Sequence, residues 1–400
     1  MRRNSIKLLV LAAALALLAC PPKNESGGGG GNAASSSGDI LIGEYGSLTG
    51  PQATFGTSTH NGIMMAMDAV NAAGGIKGRK VKILTEDDQS KQEEAALAVT
   101  KLISQNDVLA ILGEVGSSNS LAAAPICQSN KVPMITPSST NPEVTKKGDY
   151  IFRVCFTDLD VGENIARYVV QELHFKRAAI LTDIKTDYST GLTATIEKTF
   201  ASLGGQMVAH ASYSNGDSDF RSQLTSIKQA NPEIIFLPGY YTDVGQIAIQ
   251  ARDLGMKQLF IGGDGWVSPK LIEIGGKALE GCLYADHYFF EDPTPVVHDF
   301  VQSYKARYGA IPDGMAALAF DAARVMADAL KRTQKLDGPA LREAIAATKN
   351  FQGVTGSITI GPDRNAIGKK MIIEEVKNGQ PTMKAIIQPN AGAIQIVSPH

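Results

Sequence analysis

Two α/β lobes, each built on a doubly wound parallel sheet, are what this sequence predicts, and three observations carry the expectation. Apolar runs of strand type alternate with amphipathic helical stretches from Asp39 onward, an order that implies a parallel sheet covered on both faces. The alternation restarts around Gly162. The chain has 400 residues, more than the roughly 250–300 that a single core accommodates. Composition narrows the function classes. A hydrophobic share of 44% with 20% charged residues is globular and excludes disorder for most of the chain. A formal net charge of −2 argues against nucleic acid as the main partner. No apolar run reaches the roughly 20 residues of a spanning helix, which excludes a polytopic membrane protein. Four cysteines are too few for a disulfide scaffold.

In the first half of the body, Ile40–Gly43 is a short apolar run of buried-strand type. Ile63, Ala66, Met67 and Val70 recur at helical spacing, and Gly74-Gly75 stops that helix. Strands are expected at Val81–Leu84, Val108–Leu112 and Val132–Ile135, with helices at Glu93–Ile103 and Leu121–Cys127 between them. The second series places helices at Glu163–Leu173, Gly191–Phe200, Phe220–Ala230 and Asp243–Leu254, leading to strands at Ala178–Leu181, Met207–Ala211, Glu233–Leu237 and Gln258–Ile261. After Asp292 the pattern changes to three consecutive helices, Val296–Tyr308, Met315–Thr333 and Pro339–Thr348, and then strands at Ile358–Ile360, Lys370–Val376 and Met383–Ile387. No long linker separates the lobes, so several short crossings are expected to join them.

Ahead of the body, Arg2, Arg3 and Lys7 form a positive segment and Leu8–Leu18 an apolar one. The stretch is too short for a spanning helix and reads as a secretory signal. Leu17-Leu18-Ala19-Cys20 resembles a bacterial lipobox. That resemblance implies a signal peptide over residues 1–19, a lipidated Cys20, and an anchored protein on the periplasmic or extracellular face of a membrane. Losing the three cationic residues takes the formal net charge from −2 to −5. Residues 20–38 hold five consecutive glycines and a serine run, a flexible tether spanning roughly 21–25 Å root-mean-square.

Generic catalytic motifs are absent. There is no glycine-rich phosphate loop or nucleophile elbow, and the six histidines show no metal spacing. The acidic trio Glu86-Asp87-Asp88 reads as a solvated turn. No cofactor or metal is implied, and an enzyme is the weaker class. What stands out is a set of polar clusters just beyond predicted strands, where ligands bind in open parallel sheets. Gly113–Ser118 and Pro137–Pro142 bring hydroxyls and free N–H groups suited to an anion, although serine and threonine favour caps and turns on any helix. Thr182–Tyr188, Gly239-Tyr240-Tyr241 and Gly262–Trp266 bring acids among aromatic rings, which suit an ammonium. The two halves together are complementary to a zwitterion.

Ser47–Pro51, Asn71–Gly78, Thr136–Thr145, Gly239–Tyr241 and Gly263–Gly265 give the chain, from Asp39 to about Lys377, a specific resemblance to the type I periplasmic substrate-binding proteins of the leucine/isoleucine/valine-binding branch. The resemblance implies a two-lobed solute binder, a monomer, serving a membrane ABC permease. It implies that Ser117, Ser138 and Thr140 hold a ligand carboxylate, Ser138 through its backbone N–H. Asp264 stands where that branch has a glutamate for the α-amino group, one methylene shorter here. Tyr240 lies near the amino group and Tyr188 reaches across from the second lobe. Phe55 lines the side-chain pocket, with Trp266 as a further wall. Three hinge crossings are expected near Thr157, Tyr288 and Gly361–Gly368, giving a first lobe of residues 39–157 plus 289–361 and a second of 158–288 plus 362–400. The branch's disulfide does not carry over, because Gly116 occupies one of its positions. A Cys127–Cys155 bridge and three buried free thiols both remain open. So do two rivals to transport of a neutral, branched-chain amino acid: a ligand sensor for amides or small carboxylates feeding a regulatory partner, and transport of aromatic carboxylates, urea or short amides.

Overall fold

The computed structural model describes residues 38–388 and 394–396; the expected signal peptide, Cys20 and the expected tether lie outside them. The first half runs β1 (Ile40–Gly46), α1 (Ala53–Ala72), β2 (Val81–Asp87), α2 (Gln92–Ser104), β3 (Ala110–Leu112), α3 (Ser117–Asn130), β4 (Met134–Thr136), α4 (Glu143–Lys146) and β5 (Ile151–Arg153). The strands form a parallel sheet ordered β2-β1-β3-β4-β5. The second half continues α5 (Asp158–Gln171), β6 (Arg177–Asp183), α6 (Asp187–Ser202), β7 (Gln206–Tyr213), α7 (Arg221–Ala230), β8 (Ile234–Phe236), α8 (Tyr241–Asp253), β9 (Leu259–Gly262), α9 (Pro269–Gly275) and β10 (Leu283–Asp286). Then come α10 (Pro295–Tyr308), α11 (Gly314–Arg332), α12 (Gly338–Ala346), β11 (Phe351–Gly353), β12 (Gly356–Ile360), β13 (Ala366–Ile367), β14 (Met371–Lys377), β15 (Gln380–Ile387) and β16 (Ile394–Ile396). The second sheet is ordered β16-β15-β14-β10-β9-β8-β6-β7, parallel from β10 to β7 and antiparallel through β14–β16.

Alternation along the first sheet sorts its core. Ala110, Leu112, Ile135 and Phe152 face α1, α11 and α12, while Ile111, Met134 and Ile151 face α2 and α3. Helices α1 and α11 approach so closely that a Cβ at Gly62 would strike the Ala316 carbonyl. The sheet also separates two of the cysteines. Cys127 on α3 packs under one face and Cys155 under the other, and Cys127, Cys155 and Cys282 are all free and buried. The possible Cys127–Cys155 bridge is therefore not formed. Burial pushes the Cys155 thiol up to about 12.

The chain leaves the first sheet after β5, returns to that side after β10, and leaves again between β13 and β14. Residues 366–367, placed in the second lobe on sequence, stay with the first: β13 pairs with β12, and Ala366 packs among Ile358, Ile360 and Leu341. The lobes touch across the cleft. Ser118 Oγ donates to Asp187 Oδ2 (2.7 Å) and accepts the Asp187 N–H (2.9 Å), and Asn141 Nδ2 donates to the Asp187 carbonyl (2.7 Å). Phe55, carried by α1, inserts into the second lobe's aromatic core.

Candidate functional site

The site gathers at the carboxyl ends of both parallel sheets, where strands hand over to helices. On the first lobe, the loop after β4 is held from behind. Buried Arg153 donates to the carbonyls of Ser139 (2.6 Å) and Asn141 (2.7 Å). The Ser139 hydroxyl is engaged too, bonded to Ser120 Oγ (2.7 Å) and the Glu114 carbonyl (2.9 Å). Its neighbours differ: Ser138 Oγ and Thr140 Oγ1 are buried with no partner. Native structures rarely leave such groups unpaired, and unpaired ones call for an explanation. Ser117 is the first residue of α3, after a Gly116 N-cap with no side-chain cap, and its hydroxyl accepts the Asn141 N–H at 3.2 Å. The first-turn N–H groups of that helix end are a natural anion site.

On the second lobe, Asp264 opens a 3₁₀ turn after β9 and is 2% exposed. Its Oδ2 lies 3.0 Å from His287 Nε2, and its Oδ1 is buried without a partner. Gly263 and Gly265 leave room for Tyr188, whose hydroxyl accepts the Gly265 N–H at 3.0 Å. Tyr188 stacks on Tyr240 (5.1 Å between centroids, 16° between planes), and Phe55 meets Tyr240 edge-on at 5.8 Å. Tyr240 lies across the cleft from Gly116. Trp266 is also buried, but its indole N–H donates to the Leu237 carbonyl (3.0 Å) and its ring packs towards Tyr284, within the second lobe's core.

Sequence reasoning missed Asp158 and His287. Asp158 is the first residue of α5, where an acid reads as a complement to the helix dipole. The helix begins five residues earlier than its apolar period suggests, behind a capping box between Thr157 and Asp160. Asp158 is fully buried and neither carboxylate oxygen has a hydrogen-bond partner. Burial pushes its carboxyl well above the ordinary range, the adjacent Thr140 hydroxyl opposes this, and the nearby Asp264 charge raises it further. Gly191 on α6 closes over it, since a Cβ there would sit 3.2 Å from Asp158 Oδ2.

The acidic trio also departs from the solvated turn expected of it. Asp88 is buried, accepting from Ser47 Oγ (2.8 Å), Ser90 N (2.9 Å) and Asn119 Nδ2 (3.2 Å). Ser47 also bonds Glu114 through its Oγ (2.8 Å) and N–H (3.2 Å), and Gly116 N–H donates to the other Glu114 oxygen. Burial raises both carboxyls, and the Asp88 charge raises Glu114 further. A proton on Glu114 lets Glu114 donate to Ser47 while Ser47 donates to Asp88. Among the described residues no group of three or more His, Cys, Asp or Glu side chains is arranged to hold a metal ion.

Chemically, the cleft offers neutral donors and a helix N-terminus on one wall, the Asp264 carboxylate on the other, the Asp158 carboxyl at the crossing beside Thr140, and stacked phenols. Residues 39–381 match the family model described as periplasmic binding protein. A Leu/Ile/Val-binding protein homolog of Brucella melitensis is 30% identical over 80% of this chain and 87% of its own length. The solved structure of a leucine-binding protein from Thermotoga maritima superposes with a TM-score of 0.85 at 39% identity, covering 88% of this chain and 99% of that one. A branched-chain amino acid transporter substrate-binding protein from Streptococcus pneumoniae, solved with isoleucine, gives 0.82 at 30% identity, covering 90% and 100%. A benzoate-bound solute-binding protein from R. palustris, at 20% identity, shares the fold (TM-score 0.81, covering 88% and 97%). With nearly the whole body matched, this chain belongs to the periplasmic binding protein family and is similar to its leucine/isoleucine/valine-binding branch.

Proposed function

We propose that this protein is the extracytoplasmic solute-binding component of an ABC importer and takes a neutral amino acid, branched-chain by preference, between its lobes. One observation carries the reading: several buried polar atoms that have no hydrogen-bond partner among the described residues meet at one cleft. The Ser138 and Thr140 hydroxyls stand on the first lobe, Asp158 adjoins them at the crossing with its N–H on the Thr140 carbonyl at 2.9 Å, and Asp264 brings a free carboxylate oxygen from the second lobe. A zwitterion would satisfy both sets, its carboxylate on Ser117, Ser138 and Thr140 and its ammonium on Asp264, Asp158 and the face of Tyr240. A simple carboxylate would leave the Asp264 charge uncompensated, which is costly for a buried group. The apolar wall is Phe55 with the Tyr188–Tyr240 stack, and Trp266 backs the Asp264 turn from the core. Closure is a hinge motion, and the ligand favours the closed form only through contacts made there. The reading includes a lipid anchor at Cys20, which would keep the binder near a membrane permease, and a monomeric state.

The deciding experiment is calorimetric titration of the domain from Asp39, unfolded and refolded to strip carried ligand. The panel is the twenty L-amino acids, benzoate-type acids, urea and acetamide. A ligand of about nine heavy atoms at near −1 kcal/mol per atom reaches micromolar affinity or better. Such binding to leucine, isoleucine or valine is the expected result. Binding of a plain acid or amide with silence from every amino acid would overturn it.

A further inference from the structure

Asp264 is the shortest acid that could serve the ammonium, so the orientation of its carboxylate matters more than it would for a glutamate. A carboxylate torsion is broad and roughly two-fold, and among the described residues only one side chain hydrogen-bonds this one: His287, at 3.0 Å, itself fully buried. His287 lies on the passage that follows β10. Its ring stacks on Phe156 at 3.7 Å and 20°, and Phe156 lies on the passage that follows β5. The ligand-facing acid is thus linked through one imidazole to two of the three crossings between the lobes.

The chemistry of that imidazole suits the task. Burial holds it below its ordinary range against the pull of Asp264, and the Lys369 charge adds to the lowering. A neutral ring has one N–H, which Asp264 receives, while Nδ1 has no partner. A neutral donor orients the carboxylate without cancelling its charge. A lysine or arginine there would compete with the ligand's ammonium for the same acid.

We propose that His287 is a positioning residue for ammonium recognition, holding Asp264 through Oδ2 so that Oδ1 is left for the ligand, and tying that grip to the hinge through Phe156. The inference rests on the amino-acid reading of the cleft. Its test compares wild type, His287→Phe and His287→Gln, since glutamine keeps an N–H donor near the Nε2 position. Calorimetry with L-leucine is expected to show affinity weakened about tenfold or more in His287→Phe, as for a lost hydrogen bond to a charged group. His287→Gln is expected to stay within about threefold of wild type, with both thermal midpoints within a few degrees. Equal weakening by both variants, or none by either, overturns the proposal. A ligand-independent readout separates its failure from that of the cargo. Nitrogen-15 spectra of the unliganded protein should show a neutral His287 ring protonated at Nε2, and that signal should move in Asp264→Ala. If wild type binds no amino acid the cargo reading fails, and the spectra alone decide His287: an unmoved signal overturns its role.

Discussion

Two buried acidic groups lie near the cleft of this molecule, and they are built differently. Around Ser47, Asp88 and Glu114 have every oxygen hydrogen-bonded, to Ser47, Ser90, Asn119 and Gly116. At the hinge, Asp158 has no partner and Asp264 has one, leaving three carboxylate oxygens unpaired. Burial alone therefore does not tell the two groups apart, because both are equally hidden. The difference is completeness: the first group closes on itself, while the second leaves oxygens open, which is what the proposed ammonium site would use. The same contrast repeats in miniature along three residues, with the Ser139 hydroxyl engaged and those of Ser138 and Thr140 not.

The sharpest break in that comparison is Asp264→Ala. It is expected to weaken amino-acid binding by about a hundredfold or more, as removal of one partner from a buried charge pair does, while the unliganded fold survives. Affinity within threefold of wild type by calorimetry would remove Asp264 from the ammonium site. On the closed-off side, Ser47→Ala strips Asp88 and Glu114 of the hydroxyl that bridges them. It should lower stability by about 2–3 kcal/mol in denaturant unfolding; an unchanged midpoint would mean the cluster does not brace the loop.

Asp158→Asn should produce opposite signs in stability and binding. Its carboxyl is raised in the folded state, so the fold favours the protonated form. Stability present at acid pH is lost as pH rises past the unfolded value towards the folded one. An asparagine removes that loss, making the unliganded variant more stable at neutral pH. The ammonium needs the ionised acid, so wild-type affinity should fall as pH is lowered. The variant should bind roughly tenfold more weakly at neutral pH with a flatter pH profile. A parallel profile would assign the pH dependence elsewhere. Least affected is Ser118→Ala, which removes the contact to exposed Asp187 across the mouth of the cleft. A change of about 0.5–1 kcal/mol, read as less than about fivefold in affinity, is expected of a rim interaction.

Much of the fold is legible because parallel sheets announce themselves: the apolar runs of β1–β4 and β6–β9 alternate with amphipathic helices at regular spacing. Strands β5 and β10 escape notice. Three or four residues with Arg153, Tyr284 and Asp286 among them do not make an apolar run, and neighbouring strands rather than local propensity fix them. In the site, Ser138, Thr140, Tyr240 and Asp264 are visible because each follows a strand. Asp158 and His287 are not, because they lie on passages between lobes, where an acid at a helix start and a lone histidine have ordinary explanations. Their burial comes from partners distant in sequence, such as Gly191 over Asp158 and Phe156 on His287.

The close seating of α11 on α1 has a consequence for how the chain assembles. More than 240 residues separate Gly62 from the Ala316 carbonyl it abuts. The first sheet cannot complete its outer cover while its own strands are being delivered; α11 and α12 arrive only after β6–β10 of the second lobe have been made. Until then Ile40, Ile42, Leu112, Ile135 and Phe152 present an apolar face covered only in part, by α1, the kind of surface that recruits chaperones or aggregates. A chain cut anywhere before α11 would lose its N-terminal lobe as surely as its C-terminal one, and export must deliver nearly the whole polypeptide before either half is safe.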